Sequence, residues 1–182
     1  MGLVVCLSGR IGSGKSSVAG ALSERLGWLR VGFGDYLRKE TTRLGGDPNS
    51  REALQDLGQS LVNQDAAGFC RAVVGDAGFI PGGDLVVDGV RHVNIQVCLQ
   101  SVVAPSRCRL IFLAANEEER LKRVAQRPLG DADFARAEGH VAEADMVELL
   151  PRMADCVIDG SLPIETAVAC CIEAVNDWVK SA

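Results

Sequence analysis

Residues 9–16 read Gly-Arg-Ile-Gly-Ser-Gly-Lys-Ser; they follow an apolar run, Leu3–Ser8, and open a segment with helical periodicity. Three glycines within six positions let the backbone take dihedrals closed to other residues, so the turn from strand to helix can be tight and its amides can converge. A lysine and a hydroxyl then stand in the first helical turn, where the helix dipole already favours negative charge. The spacing satisfies G-x-x-x-x-G-K-[ST] and predicts a phosphate cradle made by Gly9, Arg10, Ile11, Gly12, Ser13, Gly14, Lys15, Ser16 and Ser17. In that reading Lys15 bridges the β and γ phosphates and the Ser16 hydroxyl ligates Mg2+, so ATP and Mg2+ are the expected cofactors. A dinucleotide-binding turn would want a third glycine where Ser17 stands.

Behind this turn, short apolar runs at 3–8, 29–33, 84–88, 109–114 and 156–159 alternate with helical segments at 15–26, 35–44, 51–74, 94–103, 117–125, 133–148 and 163–179. Strands that are apolar on both faces, separated by helices, predict an α/β fold with a parallel five-stranded sheet covered on each side. Turn-forming clusters at 45–49, 78–83 and 127–131 punctuate the chain. They divide a single domain, 1–182, into a sheet-forming frame, a helical insertion at 34–78 and a short lid at 126–145.

At 182 residues, 47% apolar and 24% charged, the chain suits one globular core. Nineteen basic against 24 acidic residues give a formal charge of −5, which disfavours broad binding to nucleic acid or anionic membrane and leaves room for a local basic pocket around a small phosphate ligand. Seven cysteines, no C-x-x-C pair and only two histidines argue against a zinc site or a disulfide framework and for reduced core thiols in a cytoplasmic protein. No run approaches the ~20 apolar residues of a membrane span.

The stretch from Leu7 to Ser16 resembles the first loop of dephospho-CoA kinases and nucleoside monophosphate kinases. Two further segments resemble adenylate-kinase-like enzymes: Gly34-Asp35-Tyr36-Leu37-Arg38 is similar to their Gly-Asp-x-Leu-Arg, and Asp88-Gly89-Val90-Arg91 to their Asp-Gly-Phe-Pro-Arg. The resemblance implies a three-layer P-loop NTPase fold with strand order 2-3-1-4-5 and an acceptor site in the helical insertion. An acceptor phosphate must be held beside an equally negative γ-phosphoryl group, which needs planar, permanently charged donors; Arg38 and Arg91 are the candidates. Asp88, ending a buried strand, is expected to hold Mg2+ through water. Asp35 would orient the acceptor, or act as general base if the acceptor is an alcohol. The resemblance further implies base reading by Gln96, contact with the ATP base by the loop at Gly160, and closure over the transferring group by Arg123 and Arg127.

The expected activity is transfer of the γ-phosphoryl group of MgATP to a small phosphorylated acceptor, a nucleoside or deoxynucleoside monophosphate, by a monomer or homodimer. Dephospho-CoA kinase is the nearest enzymatic alternative, although residues 32–35 read Gly-Phe-Gly-Asp where an Asp-x-Asp arrangement would favour it. A regulatory protein that keeps the cradle without efficient transfer is the alternative of a different class.

Overall fold

The computed structural model describes residues 2–126 and 144–181. Five parallel strands, β1 (Leu3–Ser8), β2 (Leu29–Gly32), β3 (Leu85–Asp88), β4 (Arg107–Ala114) and β5 (Cys156–Asp159), form one sheet in the order β2-β3-β1-β4-β5, the fold class and order expected above. Alternation along β1 divides the core. Val4 and Cys6 join a cluster on one face with Leu85, Val87, Leu110 and Phe112, while Leu3, Val5 and Leu7 join a cluster on the other with Val86, Ile111 and Leu113. Every residue of β1 and β3 is buried, which explains why these runs lack the polar alternation of a half-exposed strand.

Helix α1 (Lys15–Leu26) and the last helix, α8 (Ile164–Lys180), cover the second of these faces through Val18, Leu22, Val168 and Val175. The first is covered by α2 (Phe33–Arg43), α3 (Arg51–Asp76) and α4 (Val93–Val102), with Met146 of α6 (Ala144–Val147) and Leu150 of α7 (Leu149–Met153). Helix α5 (Glu117–Ala125) follows β4 and is capped by Asn116, whose Oδ1 accepts from the Glu119 amide at 2.8 Å.

Several boundaries differ from the sequence reading for local reasons. Helix α2 begins at Phe33 directly after Gly32, because the Phe33 ring is drawn into the core against Phe69, edge to face at 5.1 Å. Helix α3 runs to Asp76 but is interrupted at Asp65 (φ −158°, ψ 86°); the Asp65 carboxylate accepts from the Gly68 amide at 2.8 Å and so caps the second half. Asp84 precedes β3 and spends its carboxylate on the Leu3 amide, 2.8 Å away. The helix expected over 133–148 is described only from Ala144, and a break at Glu148 separates α6 from α7. Pro151 sits in the first turn of α7, where proline is tolerated and through which a longer helix could not pass. The lid region and the 127–131 cluster lie outside the described residues up to position 143.

All seven cysteines are free thiols. Burial pushes Cys70 and Cys171 up to about 12, and Cys6 is raised by its contact with Cys108, 3.5 Å away, and by burial. Among the described residues no helix is long and apolar enough to cross a membrane.

Leu110, fully buried in β4, tests the core. Leu110→Ala should lower stability by about 2–5 kcal/mol in urea titrations, whereas Leu121→Ala, at an exposed position of α5, should shift it by about 0.5 kcal/mol or less.

Candidate functional site

Because the sheet is all parallel, β1, β2 and β3 deliver their following loops to one edge. Gly9, Gly12 and Gly14 have φ of 149°, 84° and 86°, and the Ser13 amide donates to the Arg10 carbonyl at 3.0 Å. A Cβ on Gly12 would lie 2.7 Å from the Arg120 carbonyl oxygen, and one on Gly9 2.7 Å from that of Leu113, so glycine is required there for space as well as for φ. Lys15 is 9% exposed, at the first position of α1, and Ser16 and Ser17 face solvent.

The loop after β3 is stitched to the end of β1: the Gly89 and Val90 amides both donate to the Leu7 carbonyl, at 3.1 and 3.2 Å, and Ser8 Oγ donates to the Val90 carbonyl at 2.7 Å. This pairing sets Asp88 and Arg91 beside the glycine loop. Asp88 is 7% exposed, and its Oδ1 is buried with no hydrogen-bond partner. An orphaned carboxylate oxygen is costly unless a cation or its water satisfies it, so Asp88 with the Ser16 hydroxyl fits a divalent cation.

A cavity of about 650 Å³ opens at this edge. Gly12, Gly14, Lys15, Ser16, Ser17, Asp88 and Arg91 line it together with Asp35 and Arg38 of α2. Arg38 Nη1 donates to Asp35 Oδ1 at 3.0 Å. Much of the sequence-derived constellation therefore shares one cavity. Its apolar wall is Phe33, Leu37, Leu54, Phe69 and Ile95.

Among the lining residues that sequence did not single out, several carry polar or charged side chains. Arg51 and Gln55 stand on α3 with Leu54 and Gly58, a set spaced i, i+3, i+4, i+7 that defines one helix face. His92 follows Arg91 on the β3–α4 connection, and Arg30 lies on β2. The signal for Arg30 was a charge inside an otherwise apolar strand. Arg30 reaches both carboxylates of the cavity, Asp35 Oδ2 at 3.6 Å and Asp88 Oδ2 at 3.8 Å.

Two candidates are placed differently from the sequence expectation. Gln96 is 2% exposed and donates through Nε2 to Cys108 Sγ at 3.7 Å; it lies under the sheet and does not line the cavity. On α4 it is buried together with Ile95 and Leu99. Arg123 is engaged by backbone: Nη1 donates to the Gly160 carbonyl at 2.6 Å and Nε to Glu119 Oε1 at 3.0 Å. Gly160 packs against the loop in turn, where a Cβ would lie 2.8 Å from the Ser13 carbonyl oxygen. Arg120, 1% exposed, donates through Nε to the Ile11 carbonyl at 2.8 Å. The Ile11 side chain packs on Val124, and Arg10 precedes it in the loop. Arg127 lies outside the described residues.

Residues 5–144 match the AAA_18 family, described as an AAA domain. A UPF0200 protein of Aeropyrum pernix is 32% identical over 132 residues, 69% of this chain, and the match spans 65% of that protein's length. A UPF0200 protein of Methanosarcina barkeri is 31% identical over 166 residues, 89% of this chain and 85% of the relative. Similar solved structures include shikimate kinases of Bacteroides thetaiotaomicron (15% identity, TM-score 0.59, covering 96% of this chain and 98% of that one) and Aquifex aeolicus (16%, 0.56, 99% and 100%). A gluconokinase of Sinorhizobium meliloti is also similar (18%, 0.54, 99% and 98%). These structures share their fold with this chain. By the extent of the domain match and the near full-length relative, the chain belongs to the AAA_18 family of AAA domains, together with the UPF0200 proteins.

Proposed function

We propose that the protein transfers the γ-phosphoryl group of ATP to a small anionic acceptor, with a nucleoside or deoxynucleoside monophosphate as the acceptor. The observation that carries this reading is the charge of the cavity. Among the described residues Lys15, Arg30, Arg38, Arg51 and Arg91 line it together with two carboxylates, Asp35 and Asp88, in a chain whose net charge is −5. Four of these cations are arginines, from β2, α2, α3 and the β3–α4 connection, and guanidinium groups lining one space suit an oxyanion ligand. The apolar wall beside them suits an acceptor that also carries a ring.

In this reading the glycine-loop amides and Lys15 hold the ATP phosphates, and Arg38, Arg51 and Arg91 hold the acceptor anion. Residues 34–78 form the acceptor-binding insertion, and the Gly160 loop lies where the ATP base would be held. Mg2+, held by Ser16 and Asp88, would offset the negative charge of the phosphates. An acceptor oxygen attacks the γ phosphorus; the new P–O bond forms as the bond to the β–γ bridging oxygen breaks, and ADP departs with that electron pair. Asp35, already paired with Arg38 and close to Arg30, is better placed to anchor those guanidinium groups than to take a proton, which favours a phosphate acceptor that needs no base. Its presence in the cavity keeps an alcohol acceptor bearing an anionic group, such as dephospho-CoA, as the second reading.

The test is ADP release from MgATP with a panel of nucleoside monophosphates, dephospho-CoA and sugar alcohols, with Lys15→Ala as the inactive control. Acceptor-dependent turnover is expected, and ATP binding without stimulation by any acceptor would instead support a regulatory protein. Arg38→Ala and Arg91→Ala should each raise the acceptor KM about tenfold or more, the loss of a charged hydrogen bond of ~1.5–3 kcal/mol, while changing the ATP KM far less.

Asp35→Asn separates the two acceptor classes. With a phosphate acceptor kcat should fall by less than about tenfold, whereas loss of a general base for an alcohol acceptor should cost about 10²–10⁴-fold.

A further inference from the structure

Within β2, Arg30 pairs in register with Val86, and Gly32 pairs with Asp88. Paired positions on neighbouring strands share a face, so Arg30 emerges on the side of the sheet that carries Asp88, one step below it. From the start of α2, Asp35 reaches the same guanidinium. The result is a chain of alternating charge, Arg38–Asp35–Arg30–Asp88, with separations of 3.0, 3.6 and 3.8 Å. Its first link is a hydrogen bond, and the two links through Arg30 are ionic contacts too long for one. Arg30 is thus shared between two carboxylates and fully committed to neither. Its side chain is 35% exposed, whereas that of Asp88 is 9% exposed, so the buried carboxylate has the stronger need for a partner.

We propose that Arg30 is a positioning residue that couples acceptor binding to divalent-cation binding; the inference rests on the kinase reading above. In the empty cavity Arg30 partly neutralises Asp88 and opposes a cation there. When an acceptor anion engages Arg38, Asp35 loses its hydrogen-bonded partner and draws Arg30 toward itself and off Asp88. Asp88, whose Oδ1 is already without a partner, is then free to hold the cation. Because such coupling is reciprocal, the cation must also strengthen acceptor binding by the same factor. The site would then assemble its two anionic substrates and its metal together, and MgATP bound without acceptor would sit in a less competent arrangement.

The test is a binding cycle without turnover. Mn2+ affinity is measured by paramagnetic resonance in the presence of a non-hydrolysable ATP analogue, with and without inorganic phosphate or AMP as the acceptor probe, and probe affinity is measured by calorimetry. In the wild-type protein the probe should tighten Mn2+ binding about fivefold or more. Arg30→Gln should tighten Mn2+ binding in the absence of probe, weaken the probe itself and abolish the enhancement. Arg30→Lys, which keeps the charge, should retain part of it. Asp35→Asn, which breaks the chain at another link, should also abolish the enhancement. These opposite signs on cation and anion distinguish coupling from structural damage, which would weaken both. Full enhancement in Arg30→Gln, or in Asp35→Asn if the former does not fold, overturns the proposal and leaves the kinase reading intact. Failure of the wild-type protein to bind Mn2+ with the ATP analogue would instead remove the kinase reading itself.

Discussion

A sheet whose strands all run the same way has one edge from which every strand exits, and this constraint organises the molecule. The glycine loop leaves β1, Asp35 follows β2, Asp88 and Arg91 end β3 and begin its loop, α5 follows β4, and Gly160 follows β5. None of these segments is near another in sequence, yet each strand end lies within one or two strand spacings of β1, about 5 Å apiece. Burial of β1 on both faces makes that edge rigid, since a one-residue slip would exchange Val4 and Cys6 with Val5 and Leu7 between two differently shaped cores. The site inherits its precision from this packing.

The glycine loop is also held from outside. Arg120 binds the Ile11 carbonyl from a nearly inaccessible position, Arg123 ties α5 to Gly160, and Gly160 rests against Ser13. A buried guanidinium bonded to a carbonyl is an expensive group unless its donors are satisfied, so these contacts are a commitment of the fold to one loop shape. Amides aimed in advance at a ligand cost no reorganisation when it arrives. The same contacts explain why Arg123, expected to close over a transferring group, is instead occupied with backbone. Spacing of three and four residues identifies a common helix face, but it does not say whether that face meets a ligand or a neighbouring loop.

Period and punctuation made most elements legible in the sequence, because both follow from local geometry: α1, α5, β1 and β5 have the same bounds in sequence and structure. The glycine loop was legible from its spacing; Asp35, Arg38, Asp88 and Arg91, whose side chains line one cavity, were singled out by the resemblance of their segments to adenylate-kinase-like enzymes. Arg30 and Arg51 were not, since one is inside a strand and the other begins a helix, and only the third dimension brings them to the same cavity. Gln96 was singled out by spacing and lies away from the cavity. A separation along the chain does not fix the direction of a side chain on a helix, which turns by about 100° per residue. The interruption at Asp65 was hidden for a related reason: an aspartate followed three residues later by glycine resembles many helix interiors until its carboxylate is seen to cap an amide.

The charge pattern completes the physical picture. Among the described residues five cations line one cavity, and Asp35 and Asp88 offset part of their mutual repulsion through the contacts they make with Arg38 and Arg30. An entering oxyanion must therefore displace pairings that already exist, so its net gain is the difference between two sets of ion pairs rather than the sum of the new ones. Such an arrangement discriminates by geometry more than by charge. An anion that meets several of these guanidinium groups at once recovers more of what the carboxylates supplied than one that meets a single group.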